Sequence, residues 1–259
     1  MSKDLTVTTI QSNLIWHDIV ANLNSFEAKI NAINQSTDLI ILPEMFSTGF
    51  TMAPEEVAED MDGSTMKWMN RMADQKNAVI AGSLVIKENG NFYNRFVWMH
   101  PGGMFHTYDK RHLFAMAGEH DHYTAGEEKV IISFRGWKIC PLICYDLRFP
   151  VWSRFKKEFD VLIYVANWPE KRSYDWMTLL RARAIENQCY VVAVNRVGSD
   201  ANQLFYNGDS CVIDPAWRQT LYHCEKVEDT HTTTLSLDHL DKVRTSLPFL
   251  KDRDDFVLM

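Results

Sequence analysis

Absences narrow the reading of this chain before any motif does. No apolar run in its 259 residues approaches the ~20 needed for a membrane-crossing helix. No lysine or arginine cluster is present, and 27 basic against 34 acidic residues leave a formal charge of −7. That balance argues against a nucleic-acid tail or a general polyanion-binding surface. The opening MSKDLTVTTIQ lacks the positive-then-apolar layout of a secretory leader. Cysteine is sparse and odd in number, at Cys140, Cys144, Cys189, Cys211 and Cys224. With no leader in sight, this fits reduced thiols in the cytoplasm better than a disulfide framework. Linkers, low-complexity tracts and short repeats are also missing, so residues 1–259 are expected to form a single domain.

What is present fits a soluble α/β enzyme. Hydrophobic residues make up 46% and charged residues 24%, enough apolar material for a sizeable core. Strand-like runs rich in Val, Ile and aromatics recur at 5–11, 38–44, 77–86, 91–100, 129–134, 138–144, 160–167, 190–197, 208–214 and 231–238. Several are continuously apolar, as expected for strands covered on both faces. Helical spacing lies between them. Residues 17–34 carry Ile19, Val20, Leu23, Phe26, Ile30 and Ile33 as one stripe, and residues 64–76 open on a Ser/Thr cap. Two further helices are expected at 148–158 and 173–188. KENGN at 87–91 reads as a hairpin turn, which makes 77–108 an antiparallel meander. Parallel βαβ units and antiparallel hairpins should therefore coexist.

Three polar residues stand at or just past the C-terminal ends of apolar strands: Glu44 after DLIILP, Lys110 in YDKRHLF, and Cys144 in PLICYDLRFP. Each alone has an ordinary reading, as a strand-end carboxylate turned to solvent, a surface lysine and a buried inert thiol. Together they read differently, because ligands gather at the C-terminal edge of open α/β sheets. A carboxylate that takes the thiol proton, a thiolate that attacks a carbonyl and an ammonium that faces the oxyanion can perform acyl transfer. Asp146 reads as a turn acceptor and Arg148 as a structural ion-pair partner, with substrate contact by Arg148 the alternative.

The chain resembles the nitrilase superfamily of carbon–nitrogen hydrolases along nearly its whole length. The segments that carry Glu44, Lys110 and Cys144 match in order. AGEHDHYTAGEE resembles the family segment with a second glutamate, here Glu119. LLRARAIENQCYVVAVNRVG and GDSCVIDP match further segments, although Trp217 stands where glycine is common. The resemblance implies a four-layer αββα sandwich of two mixed β-sheets, paired as a homodimer, with no metal and no organic cofactor. It implies Glu44 as general base, Lys110 with the Tyr145 backbone N–H as oxyanion partners, Cys144 as the thioester-forming nucleophile, and Glu119 as the residue that positions Lys110 or assists proton transfer. The C-terminal segment at about 245–259 ends in apolar residues, and either reaches a dimer neighbour or packs on its own subunit.

ANWPEKR followed by RARAIENQCYV resembles the ω-amidase branch, which hydrolyses the terminal amide of small α-keto dicarboxylic monoamides. Substrates of that branch would be 2-oxoglutaramate, 2-oxosuccinamate and succinamate. Arg172 would offer a fork to the substrate carboxylate, while Trp168, Phe114 and Met116 would wall the pocket. The same residues also admit a solvated loop charge and core packing. Other readings are an N-carbamoyl amine amidohydrolase, an aliphatic amidase or nitrilase, and a non-catalytic scaffold on the same fold. A papain-like enzyme lacks its motif around Cys144, and a metal hydrolase built on Glu119, His120 and His122 lacks further ligands at recognisable spacing.

Overall fold

The computed structural model describes residues 4–154, 159–216 and 219–256. Among the described residues thirteen strands are interspersed with helices. The first five are β1 Asp4–Gln11, β2 Leu39–Ile41, β3 Val79–Glu88, β4 Asn91–Met99 and β5 Phe105–Asp109. Then come β6 Ile132–Phe134, β7 Trp137–Ile143, β8 Val161–Ala166, β9 Tyr190–Asn195 and β10 Val197–Ser199. β11 Phe205–Ile213, β12 Thr220–Glu225 and β13 Asp229–Ser236 complete them. The helices are α1 Ile19–Asn31, α2 Pro54–Val57, α3 Ser64–Lys76, α4 Glu119–His122, α5 Pro150–Ser153, α6 Ser173–Asn187 and α7 Leu237–Ser246.

The strands form two mixed sheets. One has the order β13-β1-β2-β3-β4-β5, and the other β10-β11-β9-β8-β7-β6 with β12 beside β11. β1, β2 and β3 run parallel, as do β7, β8 and β9, and the outer strands are antiparallel. Apolar side chains of both sheets meet in one core, where Leu5, Val7, Leu39, Val79 and Phe96 share a cluster with Leu142, Leu162 and Val192. On the outer face of the first sheet, Leu23, Phe26 and Ile30 of α1 and Met66, Met69 and Met72 of α3 cover Ile40, Ile80 and Val97. On the outer face of the second, α6 packs against β9 and β11. These are the layers of an αββα sandwich. Burial on both faces explains the continuously apolar strands.

Several local expectations need correction. Val20 lies off the α1 stripe and is 69% exposed, whereas Leu23, Phe26 and Ile30 are buried against the sheet and Ile19 and Ile33 pack at the edge of the same cluster. The first turn of α3 is capped by Glu59, whose Oε1 accepts from the N–H groups of Ser64 (2.7 Å) and Thr65 (3.2 Å), and not by a Ser/Thr cap. The helix expected at 148–158 is a single turn, α5, started by Pro150 and ended by extended Arg154; residues 155–158 lie outside the described residues. The strand expected at 190–197 divides at Arg196 into β9 and β10. Trp217 also lies outside the described residues. The hairpin at Asn89–Gly90 and the β3–β4–β5 meander form as the spacing predicts.

β5 is antiparallel to β4, which is antiparallel to β3, so β5 ends at the same edge as β2. β7 and β8 end at one edge of the second sheet. The chain leaving β2, β5, β7 and β8 therefore supplies Glu44, Lys110, Cys144 and Asn167.

Candidate active site

Glu44, Lys110 and Glu119 meet in a pocket closed to water, at 0%, 1% and 0% exposure. The Lys110 ammonium donates to Glu44 Oε1 at 2.9 Å and to both oxygens of Glu119 at 2.9 Å. Its third neighbour is the Phe50 ring, 5.1 Å from Nζ. Burial alone would lower the Lys110 pKa, but the Glu119 and Glu44 carboxylates override it and the net direction is upward. The lysine is thus held as a cation. Burial pushes the Glu119 carboxyl up, with Lys110 acting against it and Glu44 with it. Glu119 also accepts the Phe114 backbone N–H at 2.5 Å.

Two asparagines that sequence reasoning passed over complete this cluster. Asn94, buried in β4, donates through Nδ2 to Glu44 (2.7 Å) and Glu119 (3.3 Å), while its Oδ1 accepts from Ser83. Asn167, just past β8, donates its backbone N–H to Glu44 Oε2 at 2.7 Å and its Nδ2 to the Glu44 carbonyl at 2.7 Å. Glu44 is thereby fixed from both sheets. The available signal was a polar residue inside an otherwise apolar or aromatic strand, since such a group is buried only with partners.

Cys144 begins a 3₁₀ turn, Cys144–Arg148, directly after β7. Its φ is +43°, and Met45 beside Glu44 has φ +45°. Left-handed backbone is unfavourable for side chains with a Cβ, and such strain concentrates where function demands an orientation. The turn's first N–H groups have no partner within it, which leaves the Tyr145 amide available to an oxyanion. Burial raises the Cys144 pKa well above the usual thiol range; Glu44 adds to the rise and Lys110 opposes it.

Cys144, Lys110, Tyr145 and Asn167 line a cavity of about 710 Å³. Its walls include Phe114, Trp168, Arg148, Arg172, Trp16 and Tyr206. Trp168 is fixed by its indole N–H, which donates to the Arg172 carbonyl at 2.8 Å. The Arg172 guanidinium lies 5.2 Å from the Phe114 ring centre, on the cavity wall, and no carboxylate of the described residues pairs with it. Arg148 pairs with Asp175 at 2.7 Å and stacks on Trp168, so it is both an ion-pair partner and a cavity wall. Met116 is the exception among the expected wall residues. The 3₁₀ turn Ala115–Ala117 points it outward, 85% exposed, while Phe114 and Ala117 face the cavity.

His112 Nδ1 bonds Asp146 at 2.8 Å, and His120 lies 3.5 Å from Asp121. Among the described residues no three His, Cys, Asp or Glu side chains could hold a metal ion.

The carbon-nitrogen hydrolase profile matches residues 6–245. The chain belongs to that family. This carbon–nitrogen hydrolase is 47% identical, over 98% of both chains, to a protein of Escherichia coli K12 named omega-amidase YafV. It is 34% identical to the 2-oxoglutaramate amidase of Bacillus subtilis, over 95% of this chain and 96% of that one. Among solved structures, the carbon–nitrogen hydrolase XC1258 of Xanthomonas campestris superposes with a TM-score of 0.95 at 44% identity, covering 99% of both chains. That protein carries an arsenic adduct in its active site.

Proposed function

We propose that the chain is an ω-amidase that hydrolyses the terminal amide of 2-oxoglutaramate, 2-oxosuccinamate or succinamate through a thioester on Cys144. The observation that carries the reading is the Arg172 guanidinium, unpaired among the described residues, on the wall of the cavity that Cys144, Lys110 and Tyr145 also line. A guanidinium so placed suits a carboxylate at the far end of a short substrate. The names of the Escherichia coli and Bacillus subtilis relatives support the same substrate class.

Glu44 takes the Cys144 proton as sulfur attacks the amide carbon. The developing oxyanion faces the Lys110 ammonium and the Tyr145 N–H. Glu44 returns the proton to the leaving nitrogen, the C–N bond breaks and ammonia departs. Water, deprotonated by Glu44, then attacks the thioester carbon, the C–S bond breaks to release the diacid, and Glu44 returns the proton to the Cys144 sulfur. Glu119 holds Lys110 in place and charged throughout. Residues 1–259 act as one catalytic unit, a homodimer working in the cytoplasm. Five free cysteines fit that reducing compartment. No described helix is long and apolar enough to cross a membrane.

The purified protein is expected to release ammonia from 2-oxoglutaramate or succinamate far faster than from aliphatic nitriles or N-carbamoyl amines. Equal or better turnover of a nitrile or carbamoyl amine would refute the substrate assignment.

A further inference from the structure

Behind the cavity lies a buried carboxylate that the reaction above does not use. Asp146 has 0% exposure and stands two residues after Cys144. Its Oδ2 accepts the Ile143 backbone N–H at 3.0 Å and the Tyr108 hydroxyl at 2.7 Å. Its Oδ1 accepts the His112 backbone N–H at 3.0 Å and His112 Nδ1 at 2.8 Å. Ile143 precedes the nucleophile, while Tyr108 and His112 flank Lys110 at two residues on either side. One carboxylate thus ties the strained turn that presents Cys144 to the strand and loop that present Lys110. These two elements belong to different sheets.

We propose that Asp146 is the positioning residue that sets Lys110 against Cys144, with His112 as its adjustable side-chain partner. The hydrogen bonds require an aspartate. A carboxylate accepts only, so two oxygens can serve all four donors. In Asp146→Asn whichever oxygen became NH₂ would face a backbone N–H, from Ile143 on one side or His112 on the other. The imidazole must present Nδ1–H to the carboxylate. It is held flat on Phe149, with ring centres 3.8 Å apart and planes 9° from parallel. Rigid support matters here because displacing a reacting group by ~1 Å can cost on the order of 10²-fold in rate.

The proposal rests on the roles assigned above to Cys144 and Lys110, and Cys144→Ala in the same ammonia-release assay tests those roles separately. Four variants, His112→Ala, His112→Asn, Asp146→Asn and Cys144→Ala, are compared with wild type for kcat, KM and melting temperature. His112→Ala should lower kcat about 10- to 100-fold with KM within about twofold. His112→Asn places an Nδ2–H where the imidazole Nδ1–H stood, and should restore kcat to within about fivefold of wild type. Asp146→Asn should be at least as slow as His112→Ala. If Asp146→Asn does not fold, the two His112 variants decide. A merely structural role would give His112→Ala and His112→Asn the same kcat. That result, an unchanged kcat in His112→Ala, or a loss confined to KM would overturn the proposal. Turnover retained by Cys144→Ala would instead overturn the mechanism on which it rests.

Discussion

Cys144 faces one cation and two carboxylates, and their balance decides how the sulfur reacts. Burial first and Glu44 second disfavour the thiolate, and Lys110 only partly offsets them. On the proposed mechanism, a base that takes the proton as the C–S bond forms suits this balance. Glu44→Gln removes both the proton acceptor and an anion. Turnover should fall by roughly 10²–10⁴-fold for the lost base. The thiol pKa should fall as well, since a charge that had raised it is gone. Iodoacetamide alkylation of Cys144, followed against pH, should accordingly reach its half-maximal rate at lower pH in Glu44→Gln than in wild type. An unshifted or upward-shifted profile would mean that Glu44 does not bear on the sulfur. At Arg172 the expected loss is of another kind. Arg172→Ala should raise KM for dicarboxylic monoamides about 10- to 100-fold, the scale of a charge-assisted hydrogen bond. It should leave kcat nearly unchanged and barely affect neutral primary amides. A uniform loss on charged and neutral amides would exclude carboxylate recognition by this residue.

Each group proposed to be catalytic follows the C-terminal end of a strand, so on that reading small errors in those strands reach the chemistry. Gly82 in β3 is the most sensitive position to probe. A Cβ built there would lie 2.9 Å from Phe46 Cδ1 and 3.0 Å from Leu42 Cβ, the two side chains that bracket the Glu44 turn. Gly82→Ala should destabilise by about 1–3 kcal/mol, as overpacking does. It should also lower kcat more than it raises KM, measured by thermal melts and initial rates. Retention of both properties would show that the Glu44 turn tolerates displacement. The strand ends were legible in the sequence because a continuously apolar run that stops at a charged or nucleophilic residue marks both the sheet and its edge. Glu44, Lys110, Cys144 and Glu119 were singled out in this way and by motif, and in the structure Lys110 pairs with both Glu44 and Glu119. Asn94 and Asn167 were not found. An asparagine in a strand carries no sign of its partner, and their partner Glu44 lies 50 and 123 residues away in the chain. Met116 was misplaced because neighbours in a 3₁₀ turn point in different directions, which hydrophobicity alone does not resolve. The extent of α5 was misjudged because Pro150 can begin a helix without ensuring that it continues.

At the scale of the whole molecule, the outer surface of α6 bears on assembly. The inner side of this helix is spent on the sheet, where Trp176, Leu180 and Ala184 are buried. Its outer side exposes Tyr174, Thr178, Arg181 and Ile185 at spacings of four, three and four residues. Tyr174 is 83% and Ile185 45% exposed, and Val151 of the adjoining α5 is 49% exposed. A helix with a buried inner stripe and apolar ends on its outer stripe is suited to pack against a copy of itself about a two-fold axis. A stable pair needs roughly 1,000 Å² or more of total buried surface, so surface beside α6 has to join the contact. In the wild type, sedimentation velocity should therefore show a dimer at micromolar concentration. Placing charges at both apolar ends of that stripe, as in Tyr174→Asp combined with Ile185→Asp, should shift the sedimentation coefficient to that of a monomer, because apolar contacts would be replaced by buried charges without counter-ions. Both side chains are outside the cavity, so the monomerised protein should still bind substrate with a KM close to wild type. A wild-type protein that sediments as a monomer, or a double variant that remains dimeric, would show that α6 is not the contact.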